Sequence, residues 1–410
     1  MMQYVIIGNS TAALYAVEGI RSVDKKGKIA IISDEKHAAY GRPLISYYLY
    51  GKIDMEHIAY RPADFYEKTG AELILGERAV KIEAQEKKVV LQSGKKVSYD
   101  KLLVATGSRP FVPPMEGLDG VENKFSFMNL DDALSLERAL SPEKDVLIVG
   151  AGLIGLKCME GILGRCRSVT VIDLADRILP SILDEGGAAF VQKQLEKKGV
   201  RFILKDSAAK FEQNVAYTKN GEKIPFDILV VAVGVRPNTE LVKDAGGEVA
   251  RGIVTDDGQR TSIPDVFAAG DNCESFDISS GTRRILALLP NAALQGECAG
   301  VNMAGGDAHF TNAVPMNAIG FFGSHIATAG VYEGECFEDI APDHYKKLFY
   351  KDDRLKGYIL IDCIGRAGIY TSLIRNQTPL SSVDFELLKK SPALMAFSAA
   401  AREDKLARRQ

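Results

Sequence analysis

The sequence predicts an α/β fold with two Rossmann-like units, followed by a C-terminal α+β unit. Two glycine-rich turns, 142 residues apart, each follow a short apolar strand and precede a helix-compatible run. In each half, a second apolar strand then ends next to an acidic residue, and a later strand ends in the pattern AxGxRP. The same elements in the same order twice indicate two copies of one βαβ plan.

The first glycine-rich turn begins at Gly8, directly after the apolar strand 4–7. Ser10 and Ala13 stand at its second and third glycine positions. Glycines in such a turn let the backbone approach a pyrophosphate, whose charge then lies at the free N–H groups of a helix N-terminus. Because the Ser10 hydroxyl can donate to a phosphate, we predict a dinucleotide site at Gly8, Ser10 and Ala13.

The second turn matches the GxGxxG pattern in full. It follows the apolar strand 146–149, and a helix-compatible run comes after it. We therefore predict a second dinucleotide site, built from Gly150, Gly152, Ile154 and Gly155.

Acidic residues after the second strand of each unit indicate which dinucleotides bind. Asp34 and Glu35 occupy this place in the first unit, and Asp173 occupies it in the second. A carboxylate there accepts hydrogen bonds from the ribose hydroxyls and repels a 2′-phosphate. The second site is therefore predicted to prefer NADH to NADPH, and Arg177 is the nearby cation that would weaken this preference.

These motifs resemble the pyridine nucleotide-disulfide reductase superfamily, whose members bind FAD and NAD(P). The resemblance covers residues 1 to about 305 and includes ATG at 105–107 and SIPDVFAAGD at 262–271. The segments YGRPLISYYL (40–49) and VPMNA (314–318) most resemble NADH:rubredoxin oxidoreductases and the flavin-binding part of nitrite reductase large subunits. The resemblance implies a glutathione-reductase-like fold, with FAD at the first motif and NADH at the second.

The same resemblance implies roles for single residues. Asp271 would bind the ribityl–pyrophosphate region of FAD, and Arg42, next to Pro43, would reach the FAD phosphates; the alternative is that Arg42 is an ordinary surface arginine. Asn291 would lie at the start of a helix under the isoalloxazine, where the helix dipole stabilises negative charge on reduced flavin. The remaining implied residues are Thr106 and Gly107 near the FAD adenosine, and Gly234 and Pro237 beside the nicotinamide nucleotide.

Two positions depart together from the pattern of related ferredoxin reductases. Tyr47 stands where those proteins usually carry lysine, and Lys157 stands where they usually carry glutamate. We hypothesise that the cation beside the flavin and the nicotinamide has moved to the helix of the NAD unit. Lys157 and Tyr47 are thus the candidate catalytic residues; the alternative is that Lys157 is an ordinary lysine on a helix face.

Cysteine usage argues against a thiol relay. The chain has six cysteines, none in a CxxC or CxxxxC pair, and the first is Cys158. Segment 41–46, where the single redox cysteine of NADH oxidases and coenzyme A disulfide reductases would fall, contains none. We interpret the cysteines as packing residues and predict neither a metal nor an iron–sulfur cluster.

Without a thiol, reduced flavin must pass its electrons directly to another molecule. We expect an FAD-dependent NADH oxidoreductase that delivers electrons to a one-electron protein acceptor such as rubredoxin. The alternative is a flavoprotein subunit of a larger complex, linking iron–sulfur partner subunits to NAD. A third possibility is a sensor that binds flavin and NADH without turnover.

Composition agrees with a cytoplasmic enzyme. The chain is 46% apolar with a net charge of −3, so it has no bulk electrostatic attraction for nucleic acid or for an anionic membrane. No apolar run approaches membrane length, and the first residues lead straight into the glycine-rich turn rather than into a cleavable signal.

The motif order predicts three units. These are an FAD unit at 1–110 and 240–308, an NAD unit at 111–239 inserted into it, and a C-terminal unit at 309–410. The third unit should contain an antiparallel hairpin, with strands at 345–350 and 357–361.

Related flavoproteins use the C-terminal unit as a cap or a dimer surface, so a homodimer is possible. The last segment, 398–410, is rich in Ala, Arg and Lys. We favour a solvated helix for this segment over a docking site for an acidic redox partner.

Overall fold

The structure is a computed structural model that describes residues 1–407, and the side chains of its last helix only through residue 403. The part of the chain before residue 111 begins with a βαβ unit. Its elements are β1 (Gln3–Ile7), α1 (Thr11–Val23), β2 (Lys28–Ser33), α2 (Ile45–Tyr50), α3 (Phe65–Thr69), β3 (Ala71–Leu75), β4 (Ala79–Glu83), β5 (Lys88–Leu91), β6 (Lys96–Ser98), β7 (Lys101–Val104) and β8 (Ser108–Pro110).

The next part repeats this plan. Its elements are β9 (Lys124–Phe125), α4 (Leu130–Ala139), β10 (Asp145–Val149), α5 (Leu153–Ile162), β11 (Ser168–Asp173), α6 (Glu185–Glu196), β12 (Val200–Leu204), β13 (Ala208–Glu212), β14 (Val215–Thr218), β15 (Lys223–Pro225), β16 (Ile228–Val231) and β17 (Val235–Pro237).

The chain then returns to the first sheet and ends in a third, antiparallel one. The elements up to residue 303 are α7 (Glu240–Asp244), β18 (Val266–Ala268), β19 (Glu274–Asp277), β20 (Thr282–Ile285) and α8 (Leu289–Met303). Those of the third sheet and its helices are β21 (Met316–Phe321), β22 (Ser324–Gly330), β23 (Glu335–Ala341), β24 (His344–Lys351), β25 (Arg354–Ile361), α9 (Ala367–Arg375), α10 (Phe385–Lys390) and α11 (Ala399–Ala407).

The two parallel sheets have equivalent strand orders. The first runs β3-β2-β1-β7-β18 and the second β12-β11-β10-β16-β9. Each unit also carries a three-stranded antiparallel meander, β4-β5-β6 or β13-β14-β15, with a register shift at the same place in its first strand. The central strands are almost fully buried apolar runs, as expected for parallel strands covered on both faces. The predicted pair of Rossmann-like units is confirmed.

Two close approaches fix the first unit around its glycine-rich turn. Helices α1 and α8 pack with little space between their backbones. A Cβ added at Gly296 would lie 2.1 Å from the carbonyl oxygen of Ala12, and one at Gly300 would lie 2.2 Å from that of Ala16. Residues with side chains at these glycines would push the two helices apart.

The two AxGxRP segments pair with each other. Strands β8 and β17 form an antiparallel ribbon in which Arg236 lies opposite Arg109. Beside it, the Thr106 hydroxyl donates to the Asn238 carbonyl at 2.9 Å, and the Asn238 amide donates back to the Thr106 carbonyl at 2.8 Å. The chain therefore enters and leaves the predicted NAD unit through one hydrogen-bonded ribbon. The boundaries of the units stay a prediction.

The third sheet has the order β21-β22-β25-β24-β23. Its predicted hairpin is confirmed: β24 and β25 are joined by Asp352 and Asp353, which both have positive φ angles, as a type I′ turn requires. Helices α9 and α10 cover one face of the sheet, while Tyr345 and Ile359 on the other face join the core of the second unit.

The last segment of the chain is partly described. Its helix α11 agrees with the helical prediction, while residues 408–410 lie outside the described residues. No helix among residues 1–407 has the length and apolar character needed to span a lipid bilayer.

Candidate functional site

The first glycine-rich turn holds the chain in a conformation that only glycine adopts easily. Gly8 has a φ of +114°, and a Cβ added there would lie 2.2 Å from the carbonyl oxygen of Ala105. Helix α1 follows at once, with Ser10 as its N-cap residue in an extended conformation and Ala13 buried in the first turn. The Ser10 side chain makes no capping hydrogen bond. The Ser10 hydroxyl is thus not used to cap its own helix, and its contact with an FAD pyrophosphate stays a prediction.

The two acids after β2 have different surroundings. Asp34 is exposed and pairs with Arg78 at 3.1 Å. Glu35 is more buried; it accepts a hydrogen bond from the Tyr40 hydroxyl at 2.6 Å and pairs with Arg42. Of the two predicted ribose-binding acids, Glu35 is therefore the one held inside the site.

Arg42 itself opens the turn that leads into α2, with Pro43 as the next residue. Its guanidinium also donates to the carbonyl of Met128 at 3.2 Å. With two contacts fixing it, Arg42 is not a freely solvated surface side chain, although its predicted contact with FAD phosphates stays a prediction.

Three asparagines each have one buried polar atom without a hydrogen-bond partner, namely Nδ2 of Asn9, Oδ1 of Asn272 and Oδ1 of Asn291. The other end of each amide is fixed: Asn9 accepts from the Tyr66 hydroxyl, Asn272 donates to the Val104 carbonyl, and Asn291 donates to the Val314 carbonyl. An unmade hydrogen bond at a buried polar atom costs about 1–3 kcal/mol. All three lie on segments predicted to contact FAD, so these residues fit a polar ligand of that kind.

Asn9 and Asn272 were not singled out by sequence reasoning. Asn9 lies within the first glycine-rich turn, and Asn272 directly follows Asp271. Their position within these motifs was the only sign of them in the sequence. That each has an amide atom without a hydrogen-bond partner is evident only from the folded loops. Asn291 lies, as predicted, in the first turn of α8.

Asp271 lies deep in the same site. Burial raises the pKa of its carboxyl, while the positive charge of Arg42 and the Ser108 hydroxyl oppose the rise. Thr106 donates to Asn238 in the loop beside the β8–β17 ribbon, and Gly107 has a φ of +60° there. These residues line one side of the predicted FAD site.

The second glycine-rich turn repeats the geometry of the first. Gly150 has a φ of +119°, and its added Cβ would lie 2.3 Å from the carbonyl oxygen of Ala232. A Cβ at Gly155 would lie 2.0 Å from the carbonyl oxygen of Gly150, whereas one at Gly152 would meet no atom within 4 Å. Gly150 and Gly155 are thus required by the fold, while Gly152 leaves space that a ligand can use.

Asp173 lies at the end of β11, next to that turn. Its carboxylate accepts the N–H of Ala151 at 2.6 Å and that of Ala175 at 2.8 Å. Leu174, beside it, is a 65% exposed apolar residue. The carboxylate and this apolar surface suit a ribose and an adenine, respectively.

The Arg177 guanidinium is hydrogen-bonded within its own segment. It donates to the Asp176 carboxylate at 2.8 Å and to the Leu183 carbonyl at 3.4 Å. Because ion pairs between partly exposed side chains are weak, the pair with Asp176 leaves Arg177 available as a cation, and its effect on the NADH preference stays a prediction.

The remaining residues predicted beside the nicotinamide nucleotide lie at the ribbon end of the second unit. Gly234 has a φ of +128°, and Pro237 closes β17. Ile154 lies in the first turn of α5 and packs against the core of the unit.

The two candidate catalytic residues touch each other. The Lys157 ammonium lies 4.4 Å from the centre of the Tyr47 ring, donates to the Gly320 carbonyl at 3.2 Å and pairs with the Glu160 carboxylate. Burial lowers the pKa of Lys157, and the Glu160 charge opposes this change. Lys157 is therefore not an ordinary lysine on a solvated helix face. Sequence reasoning missed Glu160, which looks like a simple neighbour one turn along the helix.

All six cysteines are unpaired, and burial raises the pKa of every thiol. The pKa values reach about 11 at Cys166, about 12 at Cys273 and about 11 at Cys298. Redox-active cysteines need the opposite shift, because the thiolate is the nucleophile. Among the side chains that the structure describes, through residue 403, no group of three or more metal-binding residues comes together.

Comparison with known proteins agrees with this geometry. The family described as pyridine nucleotide-disulphide oxidoreductase matches residues 2–296. The chain is 30% identical to the NADH-dependent phenylglyoxylate dehydrogenase subunit epsilon of Aromatoleum evansii, over 92% of this chain and 93% of that protein. It is 27% identical to the NADH-rubredoxin oxidoreductase of Clostridium acetobutylicum, over 87% and 90% of the two chains.

The fold also matches a solved structure over nearly its whole length. A putidaredoxin reductase, solved as a covalent complex with putidaredoxin, superposes with a TM-score of 0.88. The match covers 99% of this chain and 98% of that one at 23% identity. All three units of the chain therefore have counterparts in one known architecture.

Proposed function

Because this chain belongs to the pyridine nucleotide-disulphide oxidoreductase family, we propose that it passes electrons from NADH through FAD to a one-electron protein acceptor such as rubredoxin. The chain is an FAD-dependent NAD(P)H oxidoreductase. The observation that carries the proposed direct transfer is the state of the cysteines: all six are unpaired, and burial raises the pKa of each thiol, which disfavours the thiolate that a relay needs.

Different residues of the first site bind different parts of FAD. The N–H groups at the start of α1 and the Ser10 hydroxyl face the pyrophosphate, and Glu35 accepts from the adenosine ribose. Asn272 and Asn291 offer their free carbonyl oxygens to the polar parts of the ligand. When bound, FAD accepts hydride from NADH and releases electrons one at a time.

The second site presents the nicotinamide nucleotide. Asp173 binds the ribose hydroxyls, and the space beside Gly152 admits the pyrophosphate. Lys157 and Tyr47, at the junction between the two units, act as the catalytic pair: the ring shields the ammonium from water, and the ammonium holds positive charge beside the reacting rings. The protein thus contributes position, charge and the exclusion of water.

A specific observation also supports the alternative function. The relative that is aligned over nine-tenths of both chains at 30% identity is a named subunit of an NADH-dependent dehydrogenase. A role as the flavoprotein subunit of a larger complex, linking iron–sulfur partner subunits to NAD, is therefore the second candidate. In either role we place the protein in the cytoplasm, where six free cysteines stay reduced; a homodimer through the C-terminal unit is a further possibility.

An anaerobic titration separates these functions. The purified protein, loaded with FAD, is titrated with NADH and separately with NADPH while flavin bleaching is followed, and rubredoxin is then added. Rapid bleaching by NADH with fast reoxidation by rubredoxin supports the carrier reductase. Bleaching with slow reoxidation, together with iron–sulfur subunits that copurify from the native host, supports the complex subunit. Absence of bleaching by either nucleotide would contradict both.

A further inference from the structure

A buried carboxylate lies where three parts of the chain meet. Glu160, on α5, has a side chain that is only 1% exposed. One carboxylate oxygen pairs with the Lys157 ammonium, and the other accepts the backbone N–H of Phe322 at 3.0 Å. The Lys52 ammonium lies 3.9 Å from that second oxygen. Glu160 thus joins its own helix to the segment after α2 and to the turn between β21 and β22.

The turn that Glu160 contacts is conformationally demanding. Phe322 and Gly323 connect β21 to β22, and Phe322 has a φ of +50°, which is uncommon for a bulky residue. Its ring packs edge-on against Tyr50 of α2, with the ring centres 5.8 Å apart. The hydrogen bond from Phe322 to Glu160 holds this turn against the second unit.

The end of β21, which leads into this turn, contacts Lys157. Its ammonium donates to the Gly320 carbonyl at 3.2 Å and lies 5.4 Å from the centre of the Phe321 ring. With Glu160 on one side, Gly320 on another and the Tyr47 ring on a third, the ammonium has little freedom to move. Lys157 is 17% exposed, so its head group lies largely out of water.

A surface ion pair between neighbouring turns of a helix contributes little to stability. Glu160 is different, because it is buried and accepts from or pairs with groups of three segments. Removing one partner of a buried pair leaves an uncompensated charge. Such a pair is sensitive to the loss of either member.

We propose that Glu160 is the positioning residue for Lys157, holding its ammonium at the junction of the FAD, NAD and C-terminal units. This inference rests on the proposed function, in which Lys157 places positive charge beside the flavin and the nicotinamide. Glu160 touches neither cofactor in this scheme. It acts through Lys157, and through Phe322 it makes the position of the ammonium depend on the docked C-terminal unit.

Chemical labelling tests the position of Lys157 directly. The FAD-loaded protein and its Glu160→Gln variant are pulsed with acetic anhydride at neutral pH, and acetylation of each lysine is read by mass spectrometry. In the variant, Lys157 should react about fivefold faster or more, because its partner has lost its charge. Lys346, which is 5% exposed in the C-terminal unit, reports global unfolding and should not change.

A matched variant controls for the second ammonium at this carboxylate. Lys52→Met removes the charge 3.9 Å from Glu160 and keeps the pair between Glu160 and Lys157. Because the Lys52 charge lowers the pKa of Lys157, its removal should leave Lys157 acetylation unchanged or slower, and not faster as in Glu160→Gln. Unchanged Lys157 labelling in Glu160→Gln would overturn the proposal. If that variant unfolds, as Lys346 would reveal, Glu160→Asp is labelled instead. Its shorter side chain withdraws the carboxylate from the ammonium, so Lys157 should react about twofold faster or more, and an unchanged rate would overturn the proposal.

A kinetic cycle then asks whether Glu160 acts through Lys157. The rate constant for flavin reduction by saturating NADH is measured in wild type, Glu160→Gln, Lys157→Met and the double variant. We expect Lys157→Met to slow reduction about tenfold and the double variant to be no slower than Lys157→Met. Multiplying effects in the double variant would overturn the proposal.

A failure of the proposal about Glu160 and a failure of the proposed function would give different results. A wild-type rate in Lys157→Met would remove Lys157 from the proposed function, while the labelling result still decides whether Glu160 positions it. Failure of NADH to bleach the wild-type flavin would contradict the proposed function itself.

Discussion

Replacing Gly150 and Gly152 separately by alanine should divide the second glycine-rich turn into a folding part and a binding part. A Cβ at Gly150 would lie 2.3 Å from the carbonyl oxygen of Ala232, although ordinary contacts begin near 3.4 Å. The backbone would have to separate by about 1 Å, and alanine would also be forced into a φ of +119°. A Cβ at Gly152 meets nothing within 4 Å, and its φ of −81° is ordinary.

The magnitudes follow from these distances. The unfavourable φ costs about 1–3 kcal/mol and the overlap a further 1–3 kcal/mol, so Gly150→Ala should lower the free energy of unfolding by about 2–6 kcal/mol. Gly152→Ala should change it by less than about 1 kcal/mol, which is the cost of alanine at a helix N-cap. The same variant should weaken NADH binding about tenfold or more, because the new methyl group occupies the approach of the pyrophosphate.

Urea denaturation measures the first quantity, and titration of flavin bleaching with NADH measures the second. Gly164→Ala is the control for backbone conformation alone, because Gly164 has a φ of +91° with no atom near its added Cβ. Wild-type NADH affinity in Gly152→Ala would refute the reasoning. So would a loss of stability in Gly152→Ala as large as that in Gly150→Ala.

Three further outcomes are expected. Asp173→Ala combined with Leu174→Arg should move the preference from NADH toward NADPH by about tenfold or more in kcat/KM, because a repelling carboxylate is replaced by a cation; unchanged selectivity would count against the assigned ribose site. Alkylation of thiols with iodoacetamide at pH 7 should leave flavin reduction intact, since burial raises the pKa of all six; rapid inactivation would contradict direct transfer. Although burial alone would raise the pKa of Asp184, the Gly187 N–H, Lys347 and Tyr345 hold it below its usual 3.8. Its contribution to stability is present above that pH and is lost as the pH falls through the lower folded-state value. Asp184→Asn should therefore lower the free energy of unfolding at pH 7 by about 1–3 kcal/mol and make it depend less on pH in the acid range. Urea denaturation at several pH values measures both effects. An unchanged pH dependence would argue against a stabilising role for the contacts of Asp184 with Lys347 and Tyr345.

Much of the fold was predictable because its signals are local. The central strands β1 and β10 are apolar after their first residue, and a glycine-rich turn directly follows each of them. Gly8 and Gly150 are needed by the backbone itself, so their presence in the sequence reports the turn before any ligand is considered. The hairpin in the C-terminal unit was predictable for the same reason, since Asp352 and Asp353 tolerate the φ angles of its turn.

The rest of the site depends on contacts between distant segments. Glu160 looks like a helix neighbour of Lys157 until Phe322, 162 residues later, is brought against it. Asn272 looks like a simple neighbour of Asp271 until the Val104 carbonyl, 168 residues earlier, is brought against its amide. Neither relationship leaves a spacing or a periodicity in the sequence, because both are made by tertiary packing.

The ribbon formed by β8 and β17 has a consequence for protein engineering. Its two strands lie side by side, so the chain enters and leaves the inserted segment at adjacent points, with paired Cα atoms about 5 Å apart. The segment between them is an insertion whose two ends meet, and a replacement needs matching ends and an apolar surface on which Tyr345 and Ile359 can pack. An equivalent segment from a relative that uses another electron donor could be joined at Pro110 and Val235. The electron donor would then change, while the predicted FAD unit keeps its own sequence.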